Sequence, residues 1–162
     1  MEQKKEFDLK SVKVHRTMEG TILEVIFAIV AIVIWGLIIW LVHQAPDIVP
    51  THFDASGKPN AYGSPAGVTI PCIILTIAAI TLMVLAYFPR HLNMPFKITN
   101  IRQVELAIRQ VRISGIILLF IPLAVAYMML GMKAPSATPM LVVIGTLLLE
   151  ILVFTFLIYR AK

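Results

Sequence analysis

Two histidine and two acidic side chains stand close together in one polar stretch of the chain, residues 43–67. His52 and Asp54 are two residues apart, and His43 and Asp47 precede them. Imidazole and carboxylate groups are ligands of zinc and other divalent ions. A single His-x-Asp pair is a weak metal signal, because strong sites repeat their ligand pairs at fixed spacings. The alternative is that His52 bonds to the loop backbone, and the sequence favours this role, with no metal bound.

Glu150 is the second candidate for chemistry, because it lies in an apolar stretch that is otherwise uncharged. An ionised carboxylate at the centre of a bilayer costs at least about 2.5–3.5 kcal/mol on insertion scales. We therefore expect Glu150 to face other helices, to be protonated, or to bond to a neighbour such as Thr76 or Thr81. A structural role, proton or cation handling, and contact with a partner are all open.

Motifs for covalent or cofactor-dependent catalysis are missing from the sequence. Ser56 and Ser64 are near His52, but no Gly-x-Ser-x-Gly elbow surrounds them. The two-histidine metalloprotease motif, the phosphate loop and the dinucleotide fingerprint are absent as well. The sequence therefore predicts a protein that is not an enzyme and has no cofactor.

Four long apolar stretches must position these groups: residues 25–42, 68–88, 113–132 and 140–159. The chain is 59% hydrophobic and 14% charged, whereas soluble proteins are about 45–50% apolar and about 25% charged. A helix of about 20 residues crosses a hydrocarbon core of about 30 Å. We predict an all-α integral membrane protein, a bundle of four transmembrane helices that forms one membrane domain over residues 1–162.

Basic residues are distributed unevenly among the segments between these helices. Twelve of the 14 lysines and arginines lie in residues 1–24, 89–112 and 160–162, and only Lys58 and Lys133 lie in the other two loops. The positive-inside rule places the basic segments, and therefore both termini, in the cytoplasm. This distribution, together with attraction to the lipid bilayer, accounts for the +5 net charge, so no nucleic-acid partner is predicted.

Two cytoplasmic segments are predicted to contain surface helices. In residues 89–112, Asn100 can cap a helix over residues 100–112 with Gln103 at its third position. Apolar residues recur there at three- and four-residue steps, and Glu105 can pair with Arg109. This basic amphipathic helix either rests on anionic lipid or docks a cytoplasmic partner. A weaker pattern predicts a helix on the inner surface within residues 1–24.

The outer loop, residues 43–67, is rich in turn-forming residues and is predicted to be ordered. Its signature is Pro46-Asp47-Ile48-Val49-Pro50-Thr51-His52-Phe53-Asp54, then Gly57-Lys58-Pro59-Asn60 and Tyr62-Gly63-Ser64. With this signature the chain resembles an uncharacterised bacterial membrane family, the module at the N-terminus of SdpI-type immunity proteins. It departs from the pattern at Ala45, where leucine is usual, and at Tyr62, where tryptophan is common.

The resemblance implies a small multi-pass protein of the bacterial inner membrane. SdpI-type proteins protect a cell from a secreted toxin that acts on its membrane, and they take part in signalling to a repressor. Our first hypothesis is that the outer loop recognises a peptide, toxin or partner protein. The predicted contacts are His52, Phe53, Asp54, Lys58 and Tyr62, and the predicted loop framework is Asp47, Pro50, Gly57, Pro59 and Gly63.

The second hypothesis is a small transporter or permease component. Glu150 would be its coupling group, and a helix kink at Pro122 would be its moving part. Four helices are few for a transporter, and a homodimer would supply eight. A third hypothesis is a scaffold within a larger complex.

Overall fold

The computed structural model describes residues 7, 9, 12–54, 56–131 and 137–162. These residues form five α-helices and one antiparallel pair of strands. The helices are α1 (Met18–Gln44), α2 (Thr69–Leu85), α3 (Ile101–Leu118), α4 (Phe120–Leu130) and α5 (Thr138–Arg160), and the strands are β1 (Val49–Phe53) and β2 (Pro59–Gly63). Short 3-10 helices occupy Pro65–Val68 and Pro89–His91.

Each predicted apolar stretch coincides largely with a helix that is long and apolar enough to cross a membrane, although the predicted stretch 68–88 extends three residues past the end of its helix at Leu85. These four helices are Met18–Gln44, Pro65–Leu85, Ile101–Leu130 and Thr138–Arg160, so the prediction of four such helices is confirmed. The first begins seven residues before the predicted position 25 because Thr17 caps it. The Thr17 Oγ1 accepts the Gly20 N–H at 3.0 Å. Glu19 and Glu24 therefore belong to α1.

The outer loop contains a β-hairpin, so the expectation of an all-α chain is wrong in this segment. β1 pairs with β2 antiparallel, with Val49 opposite Gly63 and Phe53 opposite Pro59. The β-branched and aromatic residues of β1 suit a strand, and the turn chemistry of Asp54, Ser56 and Gly57 reverses the chain. Ser64 precedes the short helix Pro65–Val68 as its N-cap residue, but its side chain makes no cap hydrogen bond.

α3 and α4 form a single path that is interrupted at Leu119. Pro122 has no N–H to donate to the carbonyl of Leu118, so the helical ladder opens one turn before the proline. The predicted helix 100–112 thus continues directly into the predicted spanning segment 113–132, of which residue 132 lies outside the described residues. Cys72, buried on α2, donates from Sγ to the Pro122 carbonyl at 3.4 Å.

The two ends of the bundle differ in what they bury. At the hairpin end, where α1 and α4 finish and α2 and α5 begin, Val49 and Val68 join an apolar core with Ile38 and Leu130. We call the other end the Arg112 end, after the arginine buried there. Its separate apolar core consists of Ala86, Ile98, Val104, Ala107, Ile108 and Ile158.

The apolar side of α3 packs largely on α5 and α2, and Val104 and Ile108 are buried there. The predicted cap is confirmed, since Asn100 Oδ1 accepts the Gln103 N–H at 3.0 Å. The same two side chains also bind the end of α5. Asn100 Nδ2 donates to the Ala161 carbonyl at 2.8 Å, and Gln103 Nε2 donates to the Ile158 carbonyl at 2.9 Å. α3 thus caps itself and ties down the last turn of α5.

Two further expectations at this end need correction. Arg109 forms its ion pair with Glu19 of α1, and no pair with Glu105 is seen among the described residues. Residues 12–17 are not helical, so the predicted surface helix is wrong there. The rest of its early part, residues 1–6, 8, 10 and 11, lies outside the described residues.

Candidate functional site

The turn of the hairpin is held by one carboxylate. Asp54 Oδ1 accepts hydrogen bonds from the Ser56 N–H at 2.8 Å, the Ser56 hydroxyl at 2.7 Å and the Lys58 N–H at 3.0 Å. Gly57 completes the turn with a φ of 76°, a conformation that glycine adopts without steric cost. The predicted contact residue Asp54 therefore has a structural task within the turn.

We predict a pH dependence of this turn. The hydroxyl of Ser56, followed by the N–H of Lys58, lowers the pKa of the Asp54 carboxyl from its ordinary value. Because the folded pKa is the lower one, the turn is stabilised above the unfolded pKa of about 3.9 and loses that stability as pH falls through the folded pKa. In micelles, the amide NMR shifts of Ser56 and Lys58 should titrate with a midpoint below 3.9.

The matched control is Asp54→Asn, which retains an acceptor oxygen and cannot titrate in this range. Its Ser56 and Lys58 amide shifts should be flat between pH 2 and 6. A wild-type midpoint at or above the ordinary aspartate value would contradict the geometry of the turn.

His52 uses a side chain, not the loop backbone, as its partner. Its Nδ1 lies 2.6 Å from Asn60 Oδ1 across the hairpin, with the imidazole N–H as donor. His52 and Lys58 are exposed, Phe53 is half-buried, and Tyr62 is 62% exposed. Four of the five predicted contact residues, including Asp54, therefore present surface to a ligand. Among the described residues, no three His, Cys, Asp or Glu side chains are grouped as a metal site would require.

The predicted framework residues hold the hairpin together to different degrees. Gly57 is required by its positive φ, and Gly63 lies beside Thr51, whose Cγ2 would be 3.1 Å from an added Cβ. Pro50 and Pro59 are half-buried and lie in the strands, whereas Asp47 is exposed in the approach to β1. The main anchor is Val49, which is 2% exposed and packs into the core at the hairpin end.

A cluster of charges that the sequence analysis did not single out lies at the Arg112 end. Arg112 is 4% exposed, and its Nη2 is 3.4 Å from Glu24 Oε1. Tyr87 donates its hydroxyl hydrogen bond to the same carboxylate oxygen, and the Arg112 guanidinium stands 5.1 Å from the centroid of the Tyr87 ring. Arg16 approaches the other oxygen of Glu24 at 3.4 Å.

Two features of this cluster follow from its crowding. A Cβ at Gly20 would lie 2.5 Å from Arg112 Nη1, so any larger residue would force the guanidinium to move away from its place against α1. The hydrogen bond to Glu24 also favours the protonated phenol, which raises the pKa of Tyr87. The sequence did contain a signal for this site, because Glu24 and Arg112 each border a long apolar stretch on the side that the basic residues mark as cytoplasmic. Nothing in the sequence identified them as partners.

Glu150 is half-buried and has a partner other than those expected. Its Oε2 accepts the Ser114 hydroxyl at 2.8 Å, whereas Thr76 and Thr81 bond to backbone carbonyls of their own helix. The other oxygen, Oε1, is buried and has no hydrogen-bond partner among the described residues. Glu150 is therefore linked to α3 through one oxygen and is incompletely satisfied.

One of the comparisons with known proteins covers the hairpin. A family model described as a domain of unknown function (DUF1648) matches residues 29–76. An uncharacterized protein of Archaeoglobus fulgidus is 36% identical over 70 residues, which cover 38% of this chain and 38% of that protein. No solved structure matches the chain significantly. The family match begins within α1, includes the whole hairpin and ends within α2.

Proposed function

We propose that the chain is a multi-pass membrane protein whose hairpin recognises a peptide, toxin or partner protein outside the bilayer. One observation carries the proposal: the segment that matches the family model contains the hairpin and the adjoining parts of α1 and α2. The hairpin offers His52, Lys58 and Tyr62 to a ligand. Their exposure on an internally bonded turn means that a ligand would meet side chains already ordered, which lowers the entropic cost of binding.

The distribution of basic residues supports an orientation for this protein. The Arg112 end would face the cytoplasm of a bacterial or related cell, with both termini on that side, and the hairpin would lie on the outer side. An immunity role, as in the SdpI-type proteins that the loop signature resembles, is the most specific form of the proposal. It requires no catalytic step.

A photo-crosslinking amino acid at Ala61 tests the proposal in intact cells. Ala61 is exposed on β2, next to the predicted contacts. We expect one discrete adduct, and His52→Ala should reduce its yield about tenfold, as for an anchor residue of an interface. A probe at Leu148, 57% exposed on α5, controls for capture within the bilayer.

The Asn60→Ala variant separates contact from hairpin structure. It breaks the same hydrogen bond as His52→Ala but leaves the imidazole in place. A ligand contact through His52 predicts a strong loss only for His52→Ala. Equal losses in both variants, or no adduct from an inserted and folded protein, would refute direct recognition by His52.

A transporter or permease component is a second candidate, favoured by the Glu150 oxygen that has no hydrogen-bond partner among the described residues. A carboxylate that is half-satisfied between α3 and α5 could exchange a proton or cation, and a homodimer would supply further helices. Flux through proteoliposomes should then cease in Glu150→Gln. Ser114→Ala removes the hydrogen bond from the Ser114 hydroxyl to Glu150, so this variant should shift the pH dependence of the flux. Unchanged flux in Glu150→Gln would exclude Glu150 as coupling group.

A further inference from the structure

Among the described residues around Arg112, basic side chains outnumber acidic ones. The four cationic side chains are Lys13, Arg16, Arg109 and Arg112, and the three carboxylates are Glu19, Glu24 and Glu105. Among the described residues, Glu24 is the carboxylate that pairs with the nearly buried Arg112, and it also pairs with Arg16. Arg112 is the nearly buried member of this group, and a further anion beside its guanidinium would stabilise the charge.

One donor of Arg112 is also unsatisfied. Its Nε is buried and has no hydrogen-bond partner among the described residues. The whole side chain is only 5% exposed, so water has little access to this donor. A buried charged donor without an acceptor costs free energy, and native structures usually provide a partner for it. An anion beside the guanidinium would offset this cost by adding a second counter-charge to that of Glu24.

A cavity of about 450 Å³ lies beside this group, within the range of about 300–1,000 Å³ that is common for ligand pockets. Residues 12–17 form one wall and α3 forms the other. Lys13, Arg109 and Arg112 give it a basic side, and Val14, Val104 and Ile108 give it an apolar side. The cavity therefore suits a molecule with an anionic group next to an apolar part.

We propose that this cavity binds a phosphate group, presented by an anionic lipid. Arginine is suited to phosphate because its guanidinium offers several N–H donors in a fixed plane. The apolar wall favours a lipid over free phosphate, since a lipid also carries glycerol and acyl carbons. The site lies where two apolar helices begin, which is the level of the headgroups if these helices cross a bilayer.

Binding can be measured on the full-length protein in neutral detergent by native mass spectrometry. Phosphatidylglycerol, phosphatidylcholine and inorganic phosphate are the three probes. We expect phosphatidylglycerol to bind at least about tenfold more tightly than phosphatidylcholine. Lys13→Ala should weaken phosphatidylglycerol binding about fivefold, the factor for one lysine near an anionic lipid surface. Lys58 is an exposed lysine at the hairpin end, so Lys58→Ala should leave phosphatidylglycerol binding unchanged.

Two further measurements identify the source of the phosphate group and separate weaker binding from misfolding. Competition by inorganic phosphate would assign the site to a free phosphate group, and no competition would assign it to the lipid. Arg112→Lys keeps the charge but loses the planar donors, so a folded variant should bind more weakly. Equal affinity for the two lipids, or equal effects of Lys13→Ala and Lys58→Ala, would overturn the proposal.

Discussion

Replacing Glu24 by alanine should destabilise the bundle by about 3 kcal/mol or more, the usual result of leaving one member of a buried ion pair without its partner. Glu24 is the carboxylate for Arg112, whose side chain is 5% exposed, and it also accepts the hydroxyl of Tyr87. Glu24→Ala removes both contacts and leaves a guanidinium with no counter-charge. The free energy of unfolding can be measured by denaturant titration in mixed micelles.

Glu19→Ala provides the matched control on the same helix. Glu19 pairs with Arg109, but their side chains are 50% and 47% exposed, and exposed pairs contribute about 1 kcal/mol or less. We expect a small loss in this variant. The double variant Glu24→Leu with Arg112→Met should recover much of the stability, because it removes both charges together. Similar losses in Glu24→Ala and Glu19→Ala would contradict the buried pair.

Replacing Val49 by aspartate should detach the hairpin from the helices. Val49 is 2% exposed and lies in the same core as Val68 and Leu130. Burying a carboxylate there without a partner would cost several kcal/mol, so the hairpin would leave the core instead. With a penalty of about 3 kcal/mol, protection of the hairpin amides against hydrogen exchange should fall about a hundredfold.

The neighbouring residue supplies the control for this experiment. Ile48 is 69% exposed, so Ile48→Asp should leave hairpin protection within about threefold of the wild type, as is usual for surface substitutions. Protection in the four apolar helices should persist in both variants. The idea that Val49 anchors the hairpin fails if both variants lose protection equally, or if neither does. If it holds, the Ala61 crosslink should weaken in Val49→Asp only.

The helices were predictable because their signal is local and strong. About 20 consecutive apolar residues define each crossing, and the cap at Asn100 followed from the spacing to Gln103. Helix ends were less accurate: α1 extends back to Met18 because Thr17 accepts the Gly20 N–H. The polar residues before position 25 had concealed that extension.

The hairpin and the charged cluster depend on contacts between residues that are distant in the sequence, and no local sequence pattern indicates such contacts. The turn at Asp54 and Gly57 was expected, but strand pairing joins residues across it, and the signal of short strands interrupted by prolines is weak. Glu24 and Arg112 are 88 residues apart, so only the packing of α1 against α3 brings them together. Glu150 was identified as an intramembrane acid, but its partner on α3 depended on the same packing.

The positions of Glu24 and Arg112 also define the length of uncharged helix between this ion pair and the hairpin end. Glu24 lies 20 residues before the end of α1 at Gln44, and Arg112 lies 18 residues before the end of α4 at Leu130. At about 1.5 Å per residue, both charges are about 27–30 Å from the hairpin end, close to the thickness of a hydrocarbon core of about 30 Å. A thicker bilayer would draw the charges into hydrocarbon, and a thinner one would force the bundle to tilt. The ion pair would thereby match the protein to membranes of one thickness.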